Sequence, residues 1–128
     1  GPRSIAIDGP RELTFTRAGH VTYTVLDIAT EPMQPGMFGL RVRMRLYCHS
    51  GGGGAGFWDD SFRLLVDGVP RAPTSRLNLV VGNRAALDGD VTFEVPDSAQ
   101  SLTLRVIHHA GYGIQADLPL KLGPITAR

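Results

Sequence analysis

Hydrophobic and polar residues alternate along this chain in short runs, and the clearest run spans Leu40 to Ser50. Leu40, Val42, Met44, Leu46 and Cys48 take one parity, and Arg41, Arg43, Arg45, Tyr47 and His49 take the other. Successive side chains of a β-strand point to opposite faces, so this segment has one apolar face and one cationic face. The pattern predicts a sheet that is covered on one side and wet on the other.

The same period recurs elsewhere. Short runs at Ile5–Ile7, Leu13–Thr16 and His20–Ile28 read as strands, and the adjacent Val25-Leu26 shifts the parity as a β-bulge near Leu26 would. Further strands are predicted at Ser61–Asp67, Leu77–Val81, Val91–Val95, Leu102–Ile107 and about Gln115–Leu122. Turn chemistry separates them. Asp67-Gly68 reads as a tight turn with a return at Val69-Pro70, Glu31–Gly36 as a loop, Asp88-Gly89-Asp90 as a turn, and Gly51–Gly56 as a flexible connector. No window carries apolar residues at helical spacing. About eight or nine short strands, with turns every eight to twelve residues, predict an all-β immunoglobulin-like sandwich of two antiparallel sheets.

Phe57-Trp58-Asp59-Asp60-Ser61-Phe62-Arg63-Leu64-Leu65-Val66-Asp67-Gly68, then Asp90-Val91-Thr92-Phe93-Glu94-Val95-Pro96 and Leu102-Thr103-Leu104, form a recognisable grammar. It resembles that of bacterial immunoglobulin-like domains of unknown function, related to the secreted immunoprotective antigen family of mycobacteria. The resemblance covers about residues 20 to 122. It implies an extracytoplasmic sandwich used for contacts, often following a membrane anchor, with no catalytic residues to carry over. The chain departs from the pattern in lacking a cysteine pair and in its glycine loop.

Composition narrows the function classes. The chain has 128 residues, enough for one domain with one core, expected over residues 3–128. Its 13 basic and 12 acidic residues leave a formal charge of +1, which gives no global attraction to nucleic acid or anionic membrane. Lys121 is the only lysine, and a GC-rich genome is a plainer source of so much arginine than a demand for bidentate contacts. Cys48 is the only cysteine, so no internal disulfide can form, and its parity places it in the core as a small hydrophobe. No apolar run is long enough to span a membrane. Gly1-Pro2 reads as a protease scar from tag removal, so the expectation is that upstream sequence, a signal peptide or anchor among the options, has been cut away.

Two candidate surfaces follow. An immunoglobulin-like arrangement would pair Leu40–Ser50 with Leu102–Ile107, so Arg105 and Lys121 would widen the Arg41, Arg43, Arg45 row into one cationic patch. Such a patch suits anionic glycans, acidic protein surfaces or lipid head groups; the plainer reading is a solvated face that resists edge aggregation, neutralised in part by Asp117 or Glu94. Duplex nucleic acid is an unsuitable partner at this net charge, and no aromatic residues interleave the arginines to stack single strands. The second surface is one pole where the Glu31–Gly36 loop and the His108–Gly113 turn are expected to meet, bringing together Met33, Met37, Phe38, His108, His109 and Tyr112. Local packing is its plainer reading.

Chemistry is harder to find. His108 and His109 face opposite ways as strand neighbours, and the expected topology holds them roughly 20 Å from His49. His20 approaches His49, but two histidines and a buried thiol make a poor metal set. Cys48-His49-Ser50 has nucleophile and base types in the wrong geometry, because adjacent strand residues diverge. The glycine loop lacks the helix and Lys-Ser/Thr pair of a phosphate cradle. Asp59-Asp60 falls short of a calcium shell. Trp58 is read as a core plug in preference to an exposed anchor. The expectation is therefore a non-enzymatic module without cofactor or metal, extracytoplasmic, with an unidentified protein or anionic glycan as partner and no direct membrane insertion.

Overall fold

The chain builds eleven strands and no helix beyond two single 3-10 turns among the residues described by the computed structural model, 3–50 and 52–124. In order these are β1 (Ile5–Ile7), β2 (Glu12–Phe15), β3 (His20–Pro32), β4 (Met37–Ser50), β5 (Ala55–Trp58), β6 (Phe62–Val66), β7 (Val69–Arg71), β8 (Asn78–Val81), β9 (Ala85–Pro96), β10 (Leu102–His109) and β11 (Ile114–Leu122). They form three antiparallel sheets: five strands in the order β1-β11-β10-β6-β7, four in the order β2-β3-β4-β9, and the ribbon β5-β8. Gly1 and Pro2, read as a scar, lie outside the described residues, as does Gly51.

The alternation of β4 is realised along its length. Leu40, Val42, Met44, Leu46 and Cys48 are at most 1% exposed, and the intervening residues look outward. Phe62, Leu64, Leu102, Leu104, Val106 and Leu118 of the five-stranded sheet join them in a single core. Tyr23 of β3 meets Phe62 of β6 edge-on at 5.9 Å, so the two larger sheets pack against each other through this core. Fully burying each such aliphatic side chain contributes about 1.5–3 kcal/mol.

Several expected features appear where they were read. The register of β3 against β4 slips between Val25 and Asp27, which makes Leu26 the bulged residue and lets Ile28 turn back toward the core. Asp67 and Gly68 adopt φ of 50° and 83°, the left-handed pair of a tight hairpin turn. The Asp67 carboxylate accepts hydrogen bonds from the Gln100 and Ser101 amides, both at 2.8 Å, which hold it below the usual aspartate range.

Other expectations are corrected. β3 runs on through Pro32, leaving only a four-residue turn, 33–36, before β4. So short a link joins antiparallel neighbours, and β4 accordingly lies between β3 and β9; it does not pair with β10. Asp88-Gly89-Asp90 is no turn: β9 passes straight through it, paired with Met44 at Gly89. A β-carbon there would collide with Leu77 and press on Phe57, so the glycine marks a close approach inside a strand. The expected flexible connector is shorter as well, because Ala55 and Gly56 already belong to β5 and pair with Val81 and Val80 of β8.

β9 is an edge strand of its sheet, and that edge is covered at Thr92 and Glu94. Thr74 N donates to Thr92 O at 2.8 Å, Thr92 N donates to Ser75 Oγ, and Arg71 donates to Glu94 O. Asp59 anchors the covering segment by accepting from Ser75 Oγ at 2.6 Å and from Leu77 N.

The ends of the strands define two poles. One carries the 33–36 turn, the 97–101 connection and Ser4 beside Gly123. There Arg3 donates to the carbonyls of Gly123, Asp97 and Ala99. The other carries Ala18-Gly19, Gly52–Gly54 and the Ala110–Tyr112 turn.

Two outcomes are expected. Leu46→Ala removes a fully buried side chain from the middle of β4 and should cost about 2–5 kcal/mol in urea denaturation; Arg43→Ser, on the opposite parity, should change stability far less. Tyr23, 1% exposed, has its phenol pushed up from 10.0 to about 12 by burial, against a smaller lowering by the Ser61 hydroxyl. The folded state therefore holds this proton more tightly than the unfolded one. The stabilisation is complete below pH about 10 and is lost as pH rises toward about 12, on the order of 2–3 kcal/mol. Denaturation at rising alkaline pH should show that loss, and Tyr23→Phe should remove this component of it.

Candidate functional site

The arginine face is built by register. Arg43 stands opposite Asp27 of β3 and Asp90 of β9, Arg45 opposite Asp88, and Arg41 opposite Ala29, two residues from Glu31 along β3. Arg45 grips Asp88 through two hydrogen bonds of 2.8 and 3.2 Å. Arg43 reaches Asp90 and Arg41 reaches Glu31, each at 3.3 Å. The bond from Arg45 holds the Asp88 carboxyl below its ordinary range, and the same contact raises Arg45. Each cation of the row thus has an anion beside it. Such exposed pairs are weak and screened by salt, yet they cancel the field that an anionic ligand would need.

Arg105 and Lys121 do not extend this row. They lie in the five-stranded sheet, on β10 and β11, because β4 pairs with β3 and β9. Arg105 makes its own two-bond pair with Asp117 at 2.8 and 3.0 Å, and Lys121 stands opposite Ala6. Asp117 is the neutraliser anticipated for the cations, but of Arg105 alone; Glu94 stands opposite Gly39 and pairs with none of them.

The expected contact pole also divides. Met33, Met37 and Phe38 lie at the terminal pole, where they border a hollow of about 180 Å³ with Pro32 and Asp97. Phe38 is 1% exposed and belongs to the core. His108, His109 and Tyr112 lie at the opposite pole, since β10 starts beside the 97–101 connection and runs away from it. His108 stacks on Phe15 at 5.2 Å and borders a hollow of about 250 Å³ with Ala18, Gly19 and Gly52. Its Nε2 is buried and has no hydrogen-bond partner. The histidines are thus at one end with His49, contrary to the expected separation.

Sharing an end does not make them a ligand set. His20 and His49 stack face to face at 3.9 Å on the outer surface of the four-stranded sheet, and His49 Nε2 lies 3.0 Å from Thr22 Oγ1. Among the described residues no group of three or more His, Cys, Asp or Glu side chains converges on a metal position. Cys48 is fully buried and faces the core, away from His49.

Trp58 is not the core plug expected of it. It is 42% exposed, while Phe57 beside it is fully buried. Adjacent strand residues face opposite ways, so only one of this aromatic pair can enter the core. That parity was the available signal. The indole packs against Gly56, two residues back on the same face, where a β-carbon would collide with Cζ2 and Cη2 of the ring. Gly56 thereby lets the ring rest against backbone while Trp58 stays 42% exposed.

Trp58 borders a groove of about 270 Å³ with Asp60, Ser61, Ile107, His108 and His109. His109 stacks with Tyr112 at 4.4 Å and 18°, and Tyr112 is 71% exposed. Asp60 lies 3.6 Å from Arg63 Nη2, so the acid at the rim is balanced locally. Two ordered aromatic walls and a balanced polar rim suit contact with a partner that carries both apolar and hydrogen-bonding surface.

Comparison with protein-family models, with curated proteins and with solved structures finds no match for this chain.

Trp58 is the single tryptophan of the sequence and so reports on this surface alone. Gly56→Ala should lift the indole from its seat and shift its fluorescence emission to longer wavelength. The far-ultraviolet dichroism should stay that of the parent. An unchanged emission spectrum would mean that the ring does not rest on Gly56.

Proposed function

We propose that this chain is a non-enzymatic interaction module of the bacterial cell envelope, an immunoglobulin-like β-sandwich that makes its contacts through the pole bearing Trp58, His109 and Tyr112. The observation that carries this reading is the exposure of Trp58, at 42%, on one groove with His109, and of Tyr112, at 71%, stacked on that histidine. Large aromatic rings held outward at one end of a domain mark a contact surface more often than chance packing does.

The immunoglobulin-like assignment draws on two antiparallel sheets sharing one core and on the residue grammar resembling the mycobacterial antigen family. The hairpin placing β4 beside β3 departs from the strand partnership expected of that fold. The extracytoplasmic location rests on the resemblance. The non-enzymatic reading is supported by geometry: Cys48 faces the core, His49 engages Thr22, and Ser61 is buried beside Tyr23. The ion-paired arginine face is a weaker alternative surface for anionic glycans, because its charge is largely balanced.

Co-sedimentation with envelope preparations from the encoding organism tests the reading. The parent protein should bind, and Trp58→Ala combined with Tyr112→Ser should weaken binding by about tenfold or more, roughly 1.4 kcal/mol. The Arg41→Ser/Arg43→Ser/Arg45→Ser variant should bind like the parent. The reverse ranking would move the function to the arginine face.

A further inference from the structure

Resting on the reading above, we infer that the groove beside Trp58 is a subsite for an uncharged sugar ring of an envelope glycan. Three features of the groove select this chemistry.

The first is the platform. The indole of Trp58 lies against the backbone at Gly56 and is 42% exposed, so a ring ordered by that contact still offers surface to solvent. A pyranose presents a patch of C–H groups on a ring face, with hydroxyls around its rim. That patch matches the negatively polarised face of an indole, and a ring already held in place loses little entropy on contact. The second is the rim. The Asp60 carboxylate is 90% exposed and accepts only, and the imidazole of His109 offers a nitrogen that donates or accepts according to its tautomer. Sugar hydroxyls both donate and accept, so these two groups suit them. The stack of His109 on Tyr112 orders the second wall in the same way that Gly56 orders the first.

The third is charge. Asp60 is balanced by Arg63 at 3.6 Å, and the row of arginines lies on the outer face of the other large sheet, already paired. A sulfated or phosphorylated ligand finds no unpaired cation at this groove, whereas a neutral sugar needs none. A hydrophobic peptide anchor is a poorer match, because the groove is open and its rim is polar. At about 270 Å³ it has room for one or two sugar rings.

Titration with cellohexaose, maltohexaose and the hexamer of N-acetylglucosamine, read by the emission of the single tryptophan, tests the assignment. Heparin serves as the anionic comparison. A saturable change is expected with at least one neutral oligosaccharide, weakened about tenfold in Asp60→Ala and in His109→Ala, both of which keep the reporter. Calorimetry on Trp58→Phe should show a smaller loss than on Trp58→Ala. Envelope material is tested in parallel after periodate, which cleaves vicinal diols, and after protease.

Binding abolished by periodate and spared by protease supports the glycan. Binding spared by periodate and abolished by protease, with no oligosaccharide response, overturns the glycan and leaves the contact pole with a protein partner. A response to heparin alone, lost in Arg41→Ser/Arg43→Ser/Arg45→Ser, also overturns it. Failure to bind any envelope material removes the contact-module reading together with this one.

Discussion

The strict alternation of β4 is the constraint on which the rest of the molecule depends. Its apolar parity is buried to within 1% of full exclusion from Leu40 to Cys48. That burial requires a second layer, which β6, β10 and β11 supply. Its other parity sets three guanidinium groups along one side of a sheet, about 7 Å apart. Like charges so spaced need counter-charges from neighbouring strands, and both neighbours provide them: Glu31 from β3, and Asp88 and Asp90 from β9. The strand therefore dictates what stands on each side of it and what lies beneath it.

This explains why the strands could be read from the sequence while the meaning of the charges could not. Alternation is a local property, and so the apolar parity of β4, the bulge at Leu26 and the turn at Asp67-Gly68 were all visible. Asp88-Gly89-Asp90 has the composition of a turn, and only a contact distant in sequence contradicts it. Leu77 and Phe57 occupy the space over Gly89 and keep the chain extended. Once those residues belong to β9, Asp88 and Asp90 fall opposite Arg45 and Arg43. The turn-like composition of Asp88-Gly89-Asp90 conceals two counter-ions and makes a balanced surface look cationic.

The poles failed for a related reason. Which strand ends lie together depends on pairing, and pairing depends on whether a short link makes a hairpin or crosses between sheets. Pro32 and Pro35 suggested a long loop at Glu31–Gly36, but β3 continues through Pro32 and the remaining turn closes a hairpin. With β4 fixed beside β3, Met33 and Met37 go to one end and His108, His109 and Tyr112 to the other. The exposure of Trp58 was closer to legible, since the parity of Phe57-Trp58 allows only one of them inside. Its seat on Gly56 depends on the same period of two.

The closure of β1 on β11 has a further consequence. Ser4 and Gly123 are hydrogen-bonded at 2.8 Å, and Arg3, beside Ser4, donates to Gly123 and to Asp97 of the 97–101 connection. Entry to and exit from the fold are therefore side by side, at the pole remote from Trp58. Anything joined to either end, a tether or a neighbouring domain, pulls at one pinned point and leaves the aromatic end facing outward. A load along such a tether would shear β1 against β11 before reaching the strands that hold the groove.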